Sequence, residues 1–318
     1  MDYSKLKVKN FNKMKYIYIF LLVMLFVFSV KAQQDPQYSQ YMYNMSTVNP
    51  AYVTDEQGLI STGLLYRKQW TGVEGAPQTA NVFGNIPLGS RIELSVNYVN
   101  DRIGEAIDVN SNYFNVDFAY ITRLSESFKL SYGIKAGINS FSINASDSNV
   151  SSDPAFSDNT STTELTFGAG LFLFSNNFYF GVSSPNILPN DVNINNVGVS
   201  QAKTHIYAVS GYVFNFLDEI KLKPSFVFKQ VIDAPLTFDI SLNALFYNRF
   251  ELGASYRYDE AMVGLAGFNI TPSLKIGYAY DFGVNDLNAY NNGSHEFIVL
   301  YKFDLLNLSN TYTSPRFY

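Results

Sequence analysis

No cysteine occurs in the 318 residues. That excludes a disulfide framework, thiolate zinc sites and cysteine nucleophiles. Histidine is nearly as scarce: His205 and His295 are the only two, and both read as polar residues at a membrane interface. There is no GxSxG stretch, so a serine hydrolase lacks its local signature. Nothing in the sequence asks for a cofactor or a metal. The acidic stretch "SDSNVSSDPAFSD" offers Asp147, Asp153 and Asp158, but without EF-hand spacing, and it reads as a solvated loop. Charge is thin, at 15% of residues, against about 25% in soluble domains. The net charge of −5 gives nucleic acid no electrostatic footprint. Beyond residue 30 no apolar run approaches the roughly 20 residues of a membrane helix, and mean hydropathy is −0.03.

Aromatic residues are abundant instead, at 16%, almost all Tyr and Phe. At the N-terminus Lys5, Lys7, Lys9, Lys13 and Lys15 precede "YIYIFLLVMLFVFSV" (16–30), and Ala32 follows. A basic region, a short apolar core and a small residue predict a secretory signal peptide over 1–32. Residues 33–58 hold Tyr38, Tyr41, Met42, Tyr43, Met45, Pro50 and Tyr52 without a clear period. A disordered leader is rarely so aromatic. The stretch is expected to be ordered, as a periplasmic or lumenal plug.

From residue 59 the dominant period is two. In "PLTFDISLNALF" Phe238, Ile240 and Leu242 alternate with Asp239, Ser241 and Asn243; "FKLSYGIKAGI" and "LKIGYAYDF" repeat the pattern. Each run has one face for lipid and one for water, and is long enough to cross a bilayer when tilted. Fourteen such runs between 59 and 303 predict an all-β fold, a transmembrane antiparallel up-and-down barrel of outer-membrane type. Residues 304–318 form a periplasmic tail. Short connections such as "PLGS" and "ITPS" alternate with longer polar ones, as periplasmic turns alternate with outward loops. The inward faces carry both signs. Lys229, Asp239, Arg257 and Asp281 are among these lumen charges, and their balance favours internal pairing over an ion-selective ring. Pro224, inside one run, predicts a bulge or a misplaced boundary.

Three stretches carry a resemblance: "QYSQYMYNMSTVNPAYV" (37–53), "YRKQWTGVEGAPQT" (66–79) and "SPRFY" (314–318). Together they resemble the PorP/SprF family of Bacteroidetes, with a departure at "NMSTVN" (44–49). The resemblance spans essentially the whole chain after residue 32. It implies an outer-membrane barrel of the type IX secretion system, linked in many members to gliding motility. The implied partners are a large exported surface protein, often an adhesin, with a C-terminal sorting domain, and other secretion components in the outer membrane and periplasm.

The loop within the second stretch is the candidate partner-binding site, through Arg67, Lys68, Trp70 and Glu74. Phe156 and Tyr290 on other long loops are secondary candidates. The plainer reading makes Trp70 a girdle aromatic facing lipid headgroups, with the cations paired locally to Glu74. Two functions compete: a non-enzymatic anchor or export component, and a transporter or channel for small or hydrophobic solutes.

Overall fold

The computed structural model describes residues 36–105, 107–145, 160–188, 190–194, 197–232 and 235–304. Among them the strands are β1 (Leu59–Lys68), β2 (Gln78–Pro87), β3 (Ile92–Ile103), β4 (Ile107–Arg123), β5 (Lys129–Ala145), β6 (Thr160–Phe174), β7 (Phe178–Ser184), β8 (Asn190–Ile194), β9 (Val197–Ala202), β10 (His205–Tyr212), β11 (Phe214–Leu217), β12 (Ile220–Val231), β13 (Thr237–Phe246), β14 (Phe250–Arg257), β15 (Ala261–Asn269), β16 (Leu274–Gly283) and β17 (Ser294–Asp304). Neighbours pair antiparallel in chain order, and β1 pairs β17. β10 pairs both β7 and β12, which closes the sheet. β10 and β11 together make one stave, so the closed barrel has fourteen. Closure leaves no unpaired edge, the condition for a sheet in lipid.

The wall follows the alternation in the sequence. Ile240 and Leu242 are exposed, while Ser241 and Asn243, alternating with them, are buried. Tyr132 and Ile134 face out and Lys135 faces in. Pro224 lies on the outer face, and β12 runs through it without a shift against β13. The interruption falls on the neighbouring stave instead. The β10 ladder ends at Gly211–Ser225 and the β11 ladder resumes at Phe214–Leu222. Pro224, which has no N–H to give, follows the last β10 rung in this register, while on the other side the Val213 N–H continues the ladder toward β7 by donating to the Asn177 carbonyl at 2.7 Å. β8 and β9 form a separate hairpin inside a connection that the sequence presents as a polar loop.

The strand ends define two rims. Leu59 and Asp304 lie at the rim of short connections, the turn end; Lys68, Gly283 and Ser294 lie at the opposite, loop end. The barrel is not hollow. Residues 36–54 are almost entirely buried, with two short 3-10 turns at Tyr41–Tyr43 and Met45–Thr47. Tyr41, Met42, Met45, Tyr52 and Val53 form one core with inward Leu65, Phe83, Phe172, Val209, Leu265 and Ile298. Tyr52 meets Phe172 edge-on at 5.6 Å, and Phe172 stacks on Tyr179 at 5.8 Å. Inward apolar side chains are therefore a protein core built against the plug.

Candidate functional site

The plug can be followed from rim to rim by its hydrogen bonds. Near the loop end, Ser39 N–H and Gln40 N–H donate to the two oxygens of Glu296, at 2.9 and 2.7 Å. The Ser39 hydroxyl donates to Asp281 at 2.7 Å and accepts from Arg67 Nη1 at 3.0 Å. At mid-depth Asn44 donates to Asn97 at 2.9 Å, and Lys135 Nζ donates to the Ser46 carbonyl at 3.0 Å. Near the turn end Thr54 N–H donates to Glu93 at 2.7 Å, Lys129 binds Asp55 at 2.7 Å, and Lys302 binds Glu56 at 2.8 Å. The segment therefore starts at the loop end and crosses the whole lumen before turning into β1. Of the two expected positions, periplasmic mouth or lumen, the described residues take the lumenal one.

The wall makes room for it. A Cβ on Gly133 would overlap the main chain at Pro50–Ala51, and one on Gly170 or Gly181 would collide with the Asn49 side chain. The Asn49 amide donates to the Leu171 carbonyl at 3.0 Å.

Arg67 corrects the sequence reading. It is not a loop residue: its exposure is 1%, and it points into the lumen. Its guanidinium binds Asp281 at 2.7 Å and Glu296 at 3.3 Å. Period two within β1 carries the signal, since Leu64, Tyr66 and Lys68 are exposed while Leu65 and Arg67 are buried. Glu296, absent from the predicted lumen charges, is 0% exposed and in the same cluster. Arg257 continues it, 3.1 Å from Asp239 and 3.6 Å from Asp281. Lys229 is also inward, with its ammonium 6.0 Å from the centre of the Tyr207 ring. His205 is buried on the lumen side beside the same ring, and His295 meets the Tyr278 hydroxyl at 2.7 Å.

The loop between β1 and β2 is fixed on both flanks. Trp70 N–H donates to Ser294 Oγ at 3.2 Å; Thr71 N–H donates to the Gly293 carbonyl at 2.8 Å, and Asn292 N–H returns a bond to Thr71 at 2.7 Å. On the other flank Gly104 N–H donates to the Gly75 carbonyl at 2.8 Å. Trp70 itself has a positive φ of 42°. Gly72 and Gly75, at 92° and 71°, supply the left-handed residues the turn requires. On this platform Lys68 and Glu74 are exposed and Trp70 is 38% exposed. Tyr290, on the adjoining β16–β17 loop, is 79% exposed. Glu74 stands by another carboxylate, not by Arg67. Desolvation and the Glu74 charge both push the Glu105 carboxyl above its ordinary value. Phe156 lies outside the described residues. The two stretches 37–53 and 66–79 thus meet in space, at Ser39 and Arg67.

These features coincide with a family match. The model for the type IX secretion system membrane proteins PorP/SprF matches residues 30–301. The chain belongs to this family: it is an outer-membrane β-barrel component of type IX secretion, and other components of that system are its implied partners. The family is not an enzyme class. No curated protein matches the chain. Among solved structures, the toluene transporter TbuX of Ralstonia pickettii is similar with TM-score 0.51 and 10% identity, over 81% of this chain and 92% of that one. The monoaromatic hydrocarbon channel CymD gives 0.52 and 12%, over 81% and 91%. A FadL homologue of Pseudomonas aeruginosa gives 0.50 and 12%, over 81% and 93%. At such identities the likeness is one of fold.

Proposed function

We propose that this barrel anchors, or helps to export, a large surface protein with a C-terminal sorting domain, in an outer membrane of Bacteroidetes type and in connection with gliding motility. In this reading the signal peptide 1–32 is removed, the loop end faces outward, and Lys68, Trp70, Glu74, Tyr290 and Phe156 belong to the cargo-facing surface. One observation carries it: the lumen is occupied by the chain's own residues 36–58, while the loop mouth is a hydrogen-bonded platform bearing exposed aromatics. A receptor for a polypeptide needs such a platform; a solute route needs an open path. Arg67 supports the mouth from inside.

Affinity purification from the native membrane tests the reading. A large surface protein should co-purify stoichiometrically, and its repeated absence would count decisively against anchoring. The alternative, a route for small or hydrophobic solutes, draws on the fold shared with hydrocarbon transporters. A steady open conductance in planar bilayers would favour that alternative.

A further inference from the structure

Beside its bonds to plug side chains, the wall grips the plug through main-chain groups that any polypeptide has. Glu296 spans two successive main-chain amides, Ser39 and Gln40. Glu93 repeats the arrangement fifteen positions later. It accepts from Thr54 N–H at 2.7 Å, the Thr54 hydroxyl at 3.1 Å and Asp55 N–H at 3.4 Å. Both carboxylates are buried, at 0% and 1% exposure. In each case a hydroxyl residue and the N–H after it are gripped by one carboxylate. Charge-assisted bonds of this kind are the strong class of hydrogen bond. Between the two clamps, Ser183 donates to the Val48 carbonyl at 2.8 Å and Lys135 to the Ser46 carbonyl at 3.0 Å. Glycines 133, 170 and 181 leave a groove shaped to backbone and to one Asn.

We propose that the lumen is a binding site for a polypeptide segment, filled in cis by residues 36–56, and able to take a second segment of like chemistry in its place. The ligand class is an extended peptide. It carries a Ser or Thr with a free following N–H at each end of a stretch of small polar and aromatic residues. Among the described residues the plug is joined to the wall covalently at the turn end, through Gly58 into β1. Its other end lies at the loop mouth under the Trp70 platform. An incoming chain at that mouth therefore meets the loop-end clamp, Ser39–Gln40 on Glu296, first. This deepens the proposed function and rests on it for the source of the incoming segment; the exchange itself does not.

The test uses the full chain with one protease recognition sequence inserted after Gln57, which is exposed. The folded protein is cut in detergent and mixed with a fluorescent synthetic peptide of residues 36–56. One labelled peptide per barrel should replace the cut segment. A scrambled peptide should bind at least about tenfold more weakly, as should the cognate peptide on uncut protein. Glu296→Gln and Glu93→Gln should each lower retention of the cognate peptide by about tenfold or more, the scale of a buried charge-assisted bond. Equal binding of the scrambled peptide, equal uptake by uncut protein, or a cut segment that never exchanges would each overturn the proposal. If a Glu variant fails to show heat-modifiable migration, the cut parent protein with the two peptides still decides. No cargo is present in this assay, so its failure leaves the co-purification result untouched.

Discussion

Arg67 and Trp70 are three residues apart and do opposite work. Arg67 compensates two buried carboxylates, Asp281 and Glu296. Removing one partner of a buried cluster leaves charge in a poor dielectric, typically at a cost of about 3–5 kcal/mol. Arg257, 3.6 Å from Asp281, keeps Arg67→Leu near the lower bound. The expected outcome is a fall in the temperature at which the compact gel form is lost, together with faster proteolysis after Ser39. An unchanged profile would show that the cluster does not hold the plug. Trp70→Ala should act on the surface alone. A buried aromatic at a protein contact contributes on the order of 2 kcal/mol or more, so cargo display should drop by about tenfold or more while the barrel still migrates compactly. Unchanged display would leave Trp70 a girdle residue. The sequence placed Trp70 correctly in a loop but misplaced Arg67, for a physical reason. Inward Leu65, which packs on the plug, makes "GLLYRK" look less alternating than a water-facing wall would.

At the scale of elements, the lipid face was legible because hydrocarbon tolerates only apolar side chains there. Ile240, Leu242, Tyr132 and Ile134 follow strict period two. The inward face was less legible because it answers to a protein segment, not to water, and so mixes Phe83, Phe172 and Val209 with Asn81, Asn97 and Lys135. The β8–β9 hairpin was missed for the same kind of reason: Val192, Ile194, Val197 and Val199 alternate within an otherwise polar stretch. Pro224 brings neither a bulge nor a shifted boundary to β12; the break in pairing lies on the adjacent stave, between β10 and β11. Only the plug's position shows what Gly133, Gly170 and Gly181 admit. Gly133→Ala tests this element by element. Its strand remains paired through Ala119 and Gly170, so the barrel should assemble. The Pro50–Ala51 backbone must move away, so proteases should reach residues 36–58 while the wall resists. Equal protection of the plug in mutant and parent would show that the groove is not limiting.

For the whole molecule, the decisive quantity is orientation, because it determines which rim can meet an exported partner. The rims differ in construction. The turn end carries the covalent root of the plug and its outer ion pairs, Asp55–Lys129 and Glu56–Lys302. The loop end carries the cross-bonded platform and the Ser39–Gln40 end of the plug. Short turns on the periplasmic side and long loops outside are the rule for outer-membrane barrels. The mouth beneath Trp70 should therefore open to the exterior, and the plug should begin there and end in the periplasm. The cysteine-free sequence makes this directly measurable, since any thiol introduced is the only one. Tyr290 is the most exposed aromatic of the loop end among the described residues, and Glu126 is exposed in the turn between β4 and β5. Tyr290→Cys should react with a bulky, membrane-impermeant maleimide on intact cells. Glu126→Cys should react only after the outer membrane is opened. Both variants should keep heat-modifiable migration, because neither side chain has a buried contact to lose. The reverse labelling pattern would invert the barrel. It would place the Trp70 platform in the periplasm, where it could meet secretion components but not a displayed surface protein, and the anchoring function would then have to be abandoned.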